Sequence, residues 1–343
     1  MTIIDFSPIK ISVAMTTFNG CPYVESQLES MAAQTRLPDE IVIGDDQSTD
    51  TTDQVVNAFS RRHPNITVRF ERNSERLGTT RNFEHVVRRC SGDVVVFADQ
   101  DDLWMPNRLA RLLETFAANP KAAYVFSNGL LIDEGNQYLN GSLFSSVYFT
   151  EEERAQYRNG KAFEVLLRHN FVTGAALAVR SEHLTRTLPF QSGWHHDYYL
   201  PFVLELAGGG ILLDEPLIQY RCHKAQQVGV AASESVDRVL AYAKKQSEAY
   251  CRQDAESFRK LKKRFINMNV PPHHPIITAL DEKSLFFDMR ADMRSDPRSA
   301  PKLLWQAWGK EYYVRYALGW KQVVVDIVAS VIAAMSLESR NKS

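Results

Sequence analysis

A repeated unit in the first hundred residues constrains the fold most: a short apolar run, a polar cluster, then a helical pattern. The apolar runs are Ile11–Met15, Glu40–Gly44, Ile66–Phe70 and Asp93–Ala98. Each has the length of a strand, and the segments between them have helical apolar spacing. Strands that alternate with helices form parallel βαβ units, so the sequence predicts an α/β fold whose sheet is covered on both faces.

Polar clusters follow three of these runs. They are Thr16–Asn19, Asp45–Asp46 and Asp99–Asp102. In sheets of this kind ligands bind beyond the carboxyl ends of the strands. Core packing explains the apolar runs, but it does not explain why each of these three ends in hydroxyls or carboxylates. We therefore expect a binding site at this edge of the sheet.

The segment Asp99-Gln100-Asp101-Asp102 places three carboxylates within four residues. These groups repel one another, and a bound divalent cation would let them ionise together. Hard oxygen ligands favour Mg²⁺ or Mn²⁺. The alternative is a solvated acidic turn before the helix that is predicted to start near Pro106.

The remainder of the first two thirds continues with mixed elements. We predict a helix at Pro106–Ala118, a strand at Ala122–Asn128, a loop-rich insertion at Asp133–Arg158, a strand at Phe171–Arg180 that could run antiparallel, a helix at Asp197–Ala207, and strands at Ile211–Asp214 and Leu217–Arg221. After about residue 230 only helical patterns remain. The predicted domains are therefore a catalytic domain, 1–230, and a helical C-terminal region, 231–343.

Composition excludes some classes of protein. Hydrophobic residues make up 44% and charged residues 24% of the 343, as in ordinary globular proteins. The net charge of −1 argues against a nucleic-acid binder. The four cysteines form no metal-ligand pair and are expected to be free thiols in a reducing cytoplasm. We find neither a secretory signal nor an apolar run of spanning length, and expect a cytoplasmic protein.

The motifs resemble those of the family-2 glycosyltransferases with a GT-A fold. The matching segments, in the same order and spacing, are Val13–Asn19, Ile43–Asp50 and Phe97–Pro106. The resemblance covers about Ile11–Gly229 and implies a GT-A catalytic domain, a Rossmann-like mixed sheet, followed by the helical extension.

The resemblance also implies roles for individual residues. Thr16 and Phe18 would line the nucleotide base, Asp46 would accept the base imide N–H, Arg81 would approach the diphosphate, Asp101 would hold the metal, and Asp99 would contact the ribose or the metal shell. Packing is the alternative for Phe18. Arg81 could instead be a surface residue, with Arg72 and Arg76 as competitors.

A second cluster is Trp194–Tyr199. In the resembling family an acidic residue that opens a helix here takes the proton from the acceptor hydroxyl, which assigns the general base to Asp197. The alternative for Asp197 is a helix N-cap. We assign Asp102, Trp194 and His196 to acceptor or sugar binding. His-Asp followed by aromatics resembles a rhamnosyltransferase-like subgroup.

A third cluster, Tyr220–Lys224, is similar to the segment that closes the catalytic domain in that subgroup. It implies His223 as a metal ligand, against the alternative of a structural histidine. The chain departs from the subgroup pattern at Lys224 and Gln226–Gln227, which weakens the donor assignment.

The resemblance thus implies an inverting glycosyltransferase that uses a nucleotide-sugar donor and a lipid-linked or surface-polysaccharide glycan acceptor. The subgroup favours dTDP-L-rhamnose as the donor. The alternatives are a UDP-hexose donor, or a catalytically silent sugar-nucleotide-binding subunit of a polysaccharide assembly complex. The oligomeric state is not predicted.

The C-terminal region combines basic and aromatic residues. Arg259–Arg264 is basic, and three of the five tryptophans lie within Trp305–Trp320. An amphipathic helix is predicted at Val323–Leu337. Because Trp and Tyr favour the membrane interface and basic residues favour anionic lipids, we predict peripheral contact with the inner face of the cell membrane. The alternative is that these helices pack on the protein itself.

Overall fold

The computed structural model describes residues 9–223 and 242–340. Its strands and helices are β1 (Ile11–Thr17), α1 (Val24–Ala32), β2 (Glu40–Asp45), α2 (Thr52–Arg62), β3 (Thr67–Arg72), α3 (Thr79–Val87), β4 (Val94–Ala98), β5 (Leu103–Trp104), α4 (Arg108–Ala118), β6 (Tyr124–Ile132), β7 (Tyr138–Ser142), α5 (Leu143–Ser146), α6 (Glu151–Arg158), α7 (Ala162–Leu166), β8 (Leu177–Arg180), α8 (Ser181–Thr187), α9 (His196–Glu205), β9 (Gly210–Arg221), α10 (Glu248–Asn267), α11 (Pro275–Ser295), α12 (Ala300–Gly309), α13 (Tyr312–Tyr316) and α14 (Trp320–Arg340).

Within the described residues the strands form one nine-stranded mixed sheet. The order is β3-β2-β1-β4-β8-β6-β9-β5, and β7 pairs with β6. Strands β3, β2, β1 and β4 are parallel, as the alternating pattern predicts. Strand β8 is antiparallel to both β4 and β6, so it is a single reversed strand between two strands that run in the same direction.

The parallel half explains why the polar clusters meet. Every residue of β1, β2 and β4 is buried, as expected for strands covered on both faces. In this register Thr17 lies beside Asp45, and Met15 lies beside Ala98, one residue before Asp99. The three polar strand ends therefore come together at one edge of the sheet.

Three predicted elements differ from the structure. The segment 133–158, predicted to be loop-rich, contains β7, α5 and α6. Within the strand predicted at 171–180, only Leu177–Arg180 is extended, after a 3₁₀ turn at Gly174–Ala176. The two short strands predicted between 211 and 221 form the single strand β9, whose register against β6 shifts near Pro216.

Two compact units make up the described chain. The sheet unit comprises residues 9–158, 171–190 and 195–223. The helical unit comprises 159–170, 191–194 and 242–340. The domain boundary predicted near residue 230 lies outside the described residues, as do Lys224, Gln226 and Gln227.

The helical unit is organised around the long helices α10 and α11. Phe258, Leu261 and Phe265 of α10 are buried, and the Phe258 and Phe287 rings stack with centroids 5.8 Å apart. Within the described part of the chain, no helix combines the length and apolar character needed to cross a bilayer.

Candidate active site

The acidic cluster lies directly after β4, where burial and mutual repulsion oppose its ionisation. Burial, followed by the charges of Asp101 and Asp197, raises the pKa of Asp99 to about 8. Burial, followed by the charges of Asp101 and Asp99, raises the pKa of Asp102 well above its ordinary value. Asp102 Oδ1 accepts the Arg221 backbone N–H at 2.9 Å, while its Oδ2 has no hydrogen-bond partner among residues 9–223 and 242–340. The site therefore concentrates negative charge that the protein does not fully neutralise.

Arg108, on α4, is a buried cation whose charge acts on Asp102. It is fully buried, and burial lowers its pKa to about 9, opposed by the charge of Asp102. Its Nη2 donates to the Ala175 carbonyl at 2.9 Å, and its guanidinium lies 4.9 Å from the Trp104 ring centroid. Arg108 was not predicted as a site residue, although a basic residue within the apolar spacing of a helix is a usable signal in the sequence.

The end of β9 closes the site against the acidic cluster. Arg221 donates through Nε to the Asp101 carbonyl at 2.6 Å, and its guanidinium lies 4.8 Å from the Tyr23 ring centroid. Two residues later, His223 Nε2 lies 2.8 Å from Asp101 Oδ2. Both of these side chains are largely buried. The structure thus brings together Asp101 and His223, the two residues that were predicted to hold a metal.

The two neighbouring aspartates at the end of β2, Asp45 and Asp46, have different hydrogen-bond partners. Asp45 is buried and accepts from Thr17 Oγ1 at 2.8 Å and from the Ser48 N–H at 2.9 Å, so it anchors the turn. Asp46 accepts the backbone N–H groups of Leu77 and Gly78 at 2.7 and 2.9 Å. Asp46 therefore fixes the loop before α3. A ligand N–H that binds to Asp46 would share its carboxylate oxygens with these two backbone donors.

Phe18 and Thr16 lie at the end of β1, where they were predicted. Thr16 is buried beside Gly44 of β2. The backbone of Phe18 exchanges two hydrogen bonds with the Gln100 side chain, at 2.8 and 3.0 Å. No role was predicted for Gln100, although its position inside the acidic motif is a signal in the sequence. This pair ties the end of β1 to the acidic loop.

Arg76, rather than Arg81, is the arginine at the predicted base-binding residues. The Arg76 guanidinium lies 3.6 Å from the Phe18 ring centroid, and its Nε lies 3.8 Å from Asp46 Oδ2. Arg81 is 65% exposed and its nearest acidic partner is Glu75, at 3.7 Å. Phe83, two residues after Arg81, is on the buried face of α3, so Arg81 lies on the opposite side of the helix and is exposed.

Asp197 lies in the first turn of α9, within electrostatic reach of Asp99. It is partly buried, and its Oδ2 accepts the Gly174 N–H at 3.1 Å. A Cβ at Gly174 would lie 2.6 Å from His196 Nε2, so glycine allows the close approach of this segment to α9. A carboxylate held in this way is oriented but still accessible.

His196 and Trp194 lie in apolar surroundings. The His196 ring is buried between Phe83 and Phe97, with centroids 4.1 and 5.4 Å away, and burial lowers its pKa to about 4. Trp194 belongs to the helical unit, where its Nε1 donates to Asp254 at 3.3 Å and its ring meets Phe258 edge-on. These positions favour packing roles over the acceptor contacts that were predicted.

Glu205, at the far end of α9, has a structural environment. Tyr124 and Tyr157 donate to its Oε1 at 2.7 and 3.1 Å, and Gly210 N–H donates to the same oxygen at 3.2 Å. Eight residues of helix separate Glu205 from Asp197, which corresponds to about 12 Å along the axis. Glu205, the second carboxylate of α9, is therefore a structural residue and not a second candidate for the base.

A family model identifies the chain. Residues 12–182, about half of the chain, match the model of Glycosyl transferase family 2. This segment contains the strand ends β1, β2 and β4 with their polar clusters. The chain belongs to the family 2 glycosyltransferases. It is therefore an enzyme of the glycosyltransferase class, as the sequence motifs predicted.

Several relatives of this chain are themselves named as glycosyltransferases. An uncharacterized glycosyltransferase of Nostoc sp. is 28% identical over 230 residues, 66% of this chain and 68% of its own. The Campylobacter jejuni GalNAc(5)-diNAcBac-PP-undecaprenol beta-1,3-glucosyltransferase is 32% identical over 127 residues, 37% of this chain and 40% of its own. The Shigella flexneri dTDP-rhamnosyl transferase RfbG is 28% identical over 113 residues, which are 32% of this chain and 39% of its own. The matches thus span about two fifths to two thirds of these relatives.

Two solved structures share the fold. S. aureus TarS 1-349 has a TM-score of 0.56 at 14% identity, covering 96% of this chain and 92% of its own. The mannosyltransferase PcManGT from Pyrobaculum calidifontis, in complex with GDP-Man and Mn²⁺, has a TM-score of 0.50 at 19% identity, covering 98% and 89%. At these identities the likeness concerns the fold, which is the GT-A fold with added C-terminal helices.

The protein supplies only part of a metal-binding site. Among the residues that the structure describes, no group of three or more His, Cys, Asp or Glu side chains is arranged to hold an ion. Asp101 and His223 supply two ligand atoms 2.8 Å apart. Adjacent ligands of an octahedral ion with bonds of ~2.1 Å stand ~3 Å apart, and Mg²⁺ commonly takes only one or two carboxylates, with substrate phosphates completing its shell. The residues therefore fit a cation that is bound together with a diphosphate.

Proposed function

We propose that this protein is an inverting glycosyltransferase that transfers a sugar from a nucleotide donor to a hydroxyl of a glycan acceptor. The observation that carries the proposal is the position of Asp197, an oriented and accessible carboxylate whose charge reaches Asp99. It stands at the same sheet edge as the Asp101–His223 pair. A base and a diphosphate site that face one reacting carbon are the parts a single displacement needs.

In the proposed reaction Asp197 takes the proton of the acceptor hydroxyl. The acceptor oxygen forms its bond to the anomeric carbon while the bond from that carbon to the diphosphate oxygen breaks. The electron pair of the broken bond leaves with the nucleoside diphosphate, so the anomeric configuration inverts. A donor with a β-linked nucleotide, as in dTDP-L-rhamnose, gives an α-linked product.

Asp101 and His223 would hold the Mg²⁺ or Mn²⁺ that the acidic cluster implies, with Asp99 nearby. When bound, the cation supplies positive charge to the leaving diphosphate. The raised pKa of Asp99 supports this assignment, since it reports negative charge that a cation would offset. PcManGT, which shares the fold, was solved with Mn²⁺ and GDP-Man.

For the nucleotide base we propose the surface formed by Thr16, Phe18 and Asp46. Arg76 lies over the Phe18 ring, so a base that stacks there would replace the guanidinium. The displaced Arg76 would then be free to meet a phosphate, the role first assigned to Arg81.

For the donor sugar we propose L-rhamnose from dTDP-L-rhamnose, with a UDP-hexose as the competing candidate. The Shigella relative, a dTDP-rhamnosyl transferase, supports the first, and the Campylobacter glucosyltransferase supports the second. The Campylobacter name also supports a polyprenol-linked acceptor. The presence of both Asp101 and Asp197 in the site argues against a catalytically silent subunit.

The test is Asp197→Asn, which keeps the shape of the side chain and removes the base. We expect turnover to fall by about two to four orders of magnitude while donor binding stays unchanged. Turnover is measured as release of nucleoside diphosphate, and binding as the thermal shift with donor. Asp214→Asn, at an exposed carboxylate paired with Arg154, is the matched control.

Turnover of Asp197→Asn close to wild type would assign the base elsewhere. A donor panel of dTDP-L-rhamnose, UDP-glucose, UDP-GlcNAc and GDP-mannose, each with and without Mn²⁺, decides the sugar. Retention of configuration in the product, seen by NMR, would exclude the single displacement.

A further inference from the structure

The large apolar side chains that the helical unit exposes are concentrated near its C-terminal end. Eight of them, carried by the successive helices α12, α13 and α14, are together called the apolar face: Trp305, Trp308, Val314, Trp320, Val324, Ile327, Val331 and Met335. Trp305 is 79% exposed, and Trp320 and Met335 are each 67% exposed. Single exposed apolar residues are normal in proteins, but a concentration of this size marks an interaction surface.

Helix α14 shows that this exposure is built into the fold. Its apolar residues Val324, Ile327, Val331 and Met335 follow the three- and four-residue spacing of one helix face, and all are exposed. Its polar residues Gln322, Asp326 and Ser330, at intervals of four, lie on another face and are buried.

Ion pairs hold this orientation of α14. Asp326 is fully buried and accepts from Arg290 Nε at 3.1 Å and from Arg294 Nη2 at 2.6 Å. Tyr313 also donates to Asp326 at 2.9 Å. Turning the helix so that its apolar residues point inward would leave this buried charge network without partners. The apolar face therefore stays exposed in the folded unit.

Basic residues accompany the apolar face. Between residues 301 and 335 the exposed charged side chains are Lys302, Lys310, Arg315, Lys321 and one acidic residue, Glu311. Arg315 is paired with Glu282 of α11 at 2.6 Å, and the other acidic residue of the segment, Asp326, is neutralised inside the unit. Apart from these pairs the segment exposes three lysines and one glutamate, so its remaining charge is positive.

We propose that the apolar face binds the surface of an anionic lipid bilayer, with its tryptophans and aliphatic side chains at the level of the headgroups. Trp favours the membrane interface, and basic residues around an apolar helix face favour anionic lipids. A second copy of this chain fits less well, because a symmetric contact between two apolar faces would bring their positive charges together. This inference goes beyond the proposed function and does not depend on donor or acceptor.

The experiment is co-sedimentation of the full chain with phosphatidylcholine vesicles, with and without phosphatidylglycerol, at low and high salt. We expect binding to the anionic vesicles that weakens at high salt. Ile327→Gln with Val331→Gln should lower the binding constant at least about tenfold, since it removes two exposed aliphatic contacts. Lys302→Gln with Lys310→Gln should lower it by about fivefold for each charge and reduce the salt dependence.

Tyr138→Gln is the matched control, because Tyr138 is 64% exposed on the sheet unit and should not affect vesicle binding. All of these positions are exposed, so the variants are expected to fold, which thermal unfolding checks. Failure of the wild type to bind anionic vesicles would overturn the proposal. So would self-association at micromolar concentration that Ile327→Gln with Val331→Gln abolishes, since it would assign the face to a second copy.

Discussion

Both units contain carboxylates whose burial opposes ionisation, but the groups around them act on the charge in opposite ways. In the sheet unit Asp99 has like-charged neighbours, and its pKa rises to about 8. In the helical unit Asp326 has two arginines and a tyrosine as partners, and despite its burial their charges and hydrogen bonds lower its pKa.

The difference separates function from stability. Asp326 has its counter-charges inside its own unit, so its network is complete without a ligand. The Asp99–Asp102 cluster has only partial compensation, from Arg108, Arg221 and His223, and gains most from a cation and a nucleotide-sugar donor. Buried charge that the fold leaves under-compensated therefore marks the site, and buried charge that is fully paired marks the scaffold.

Asp101→Asn tests the functional side of this comparison and has the largest expected effect. We expect transfer to fall by about three orders of magnitude or more, because the cation that Asp101 would hold stabilises the leaving group by several kcal/mol. The melting temperature without metal should not fall, since the change removes one of the repelling charges. Nucleoside diphosphate release and thermal unfolding measure the two quantities.

Asp214→Asn serves again as the control, and it should leave both quantities near wild type. Full activity of the wild-type enzyme in excess EDTA would contradict the role of Asp101. A large drop in the melting temperature of Asp101→Asn would show that the cluster is structural after all.

Asp326→Asn tests the scaffold side. It leaves two buried arginines with an uncharged partner, and removal of one member of a buried ion network costs about 3–5 kcal/mol. Urea unfolding followed by tryptophan fluorescence suits this measurement, because four of the five tryptophans, all but Trp104, belong to the helical unit. Asp281→Asn, at an exposed pair with Lys262, should cost less than about 1 kcal/mol. Equal losses in the two variants would remove the contrast between the units.

The sequence predicted the parallel half of the sheet well because its strands are buried on both faces. A strand such as β4, Val94–Ala98, reads as a continuous apolar run, and its carboxyl end lies at the site in any parallel arrangement. The segment 133–158 was not predicted because its strand β7 is half exposed and its helix α6 is mostly polar, so neither shows an apolar period.

At the site, local sequence predicted which motifs meet but not where each side chain points. His196 and Asp197 are neighbours on α9, where consecutive residues differ by about 100° around the axis. This rotation places His196 between two phenylalanines and Asp197 beside the acidic cluster. The same effect sends Arg81 to solvent, while Arg76, in the loop before α3, reaches Phe18.

His196→Leu gives the smallest expected effect and sharpens the comparison, because His196 is a second buried ionisable group that the sheet unit leaves under-compensated. Neither ring nitrogen has a hydrogen-bond partner in the part of the chain that the structure describes, and burial lowers the pKa of His196 to about 4. As the pH falls, the histidine of the unfolded chain is protonated before the buried histidine of the folded state. The free energy of unfolding that depends on His196 is therefore at its full value above pH 6.5, and it is lost as the pH falls toward 4. The full loss corresponds to about 3 kcal/mol.

Asp99 acts in the opposite direction over the same range, since its raised pKa favours the folded state as the pH falls, but it contributes equally to wild type and to His196→Leu. The stability difference between wild type and His196→Leu, from urea unfolding at pH 7 and pH 4.5, should thus shift toward the variant at low pH. His85→Leu, at a partly exposed histidine paired with Glu71, should show no such shift. Parallel pH dependence of wild type and His196→Leu would mean that His196 is not the group that titrates.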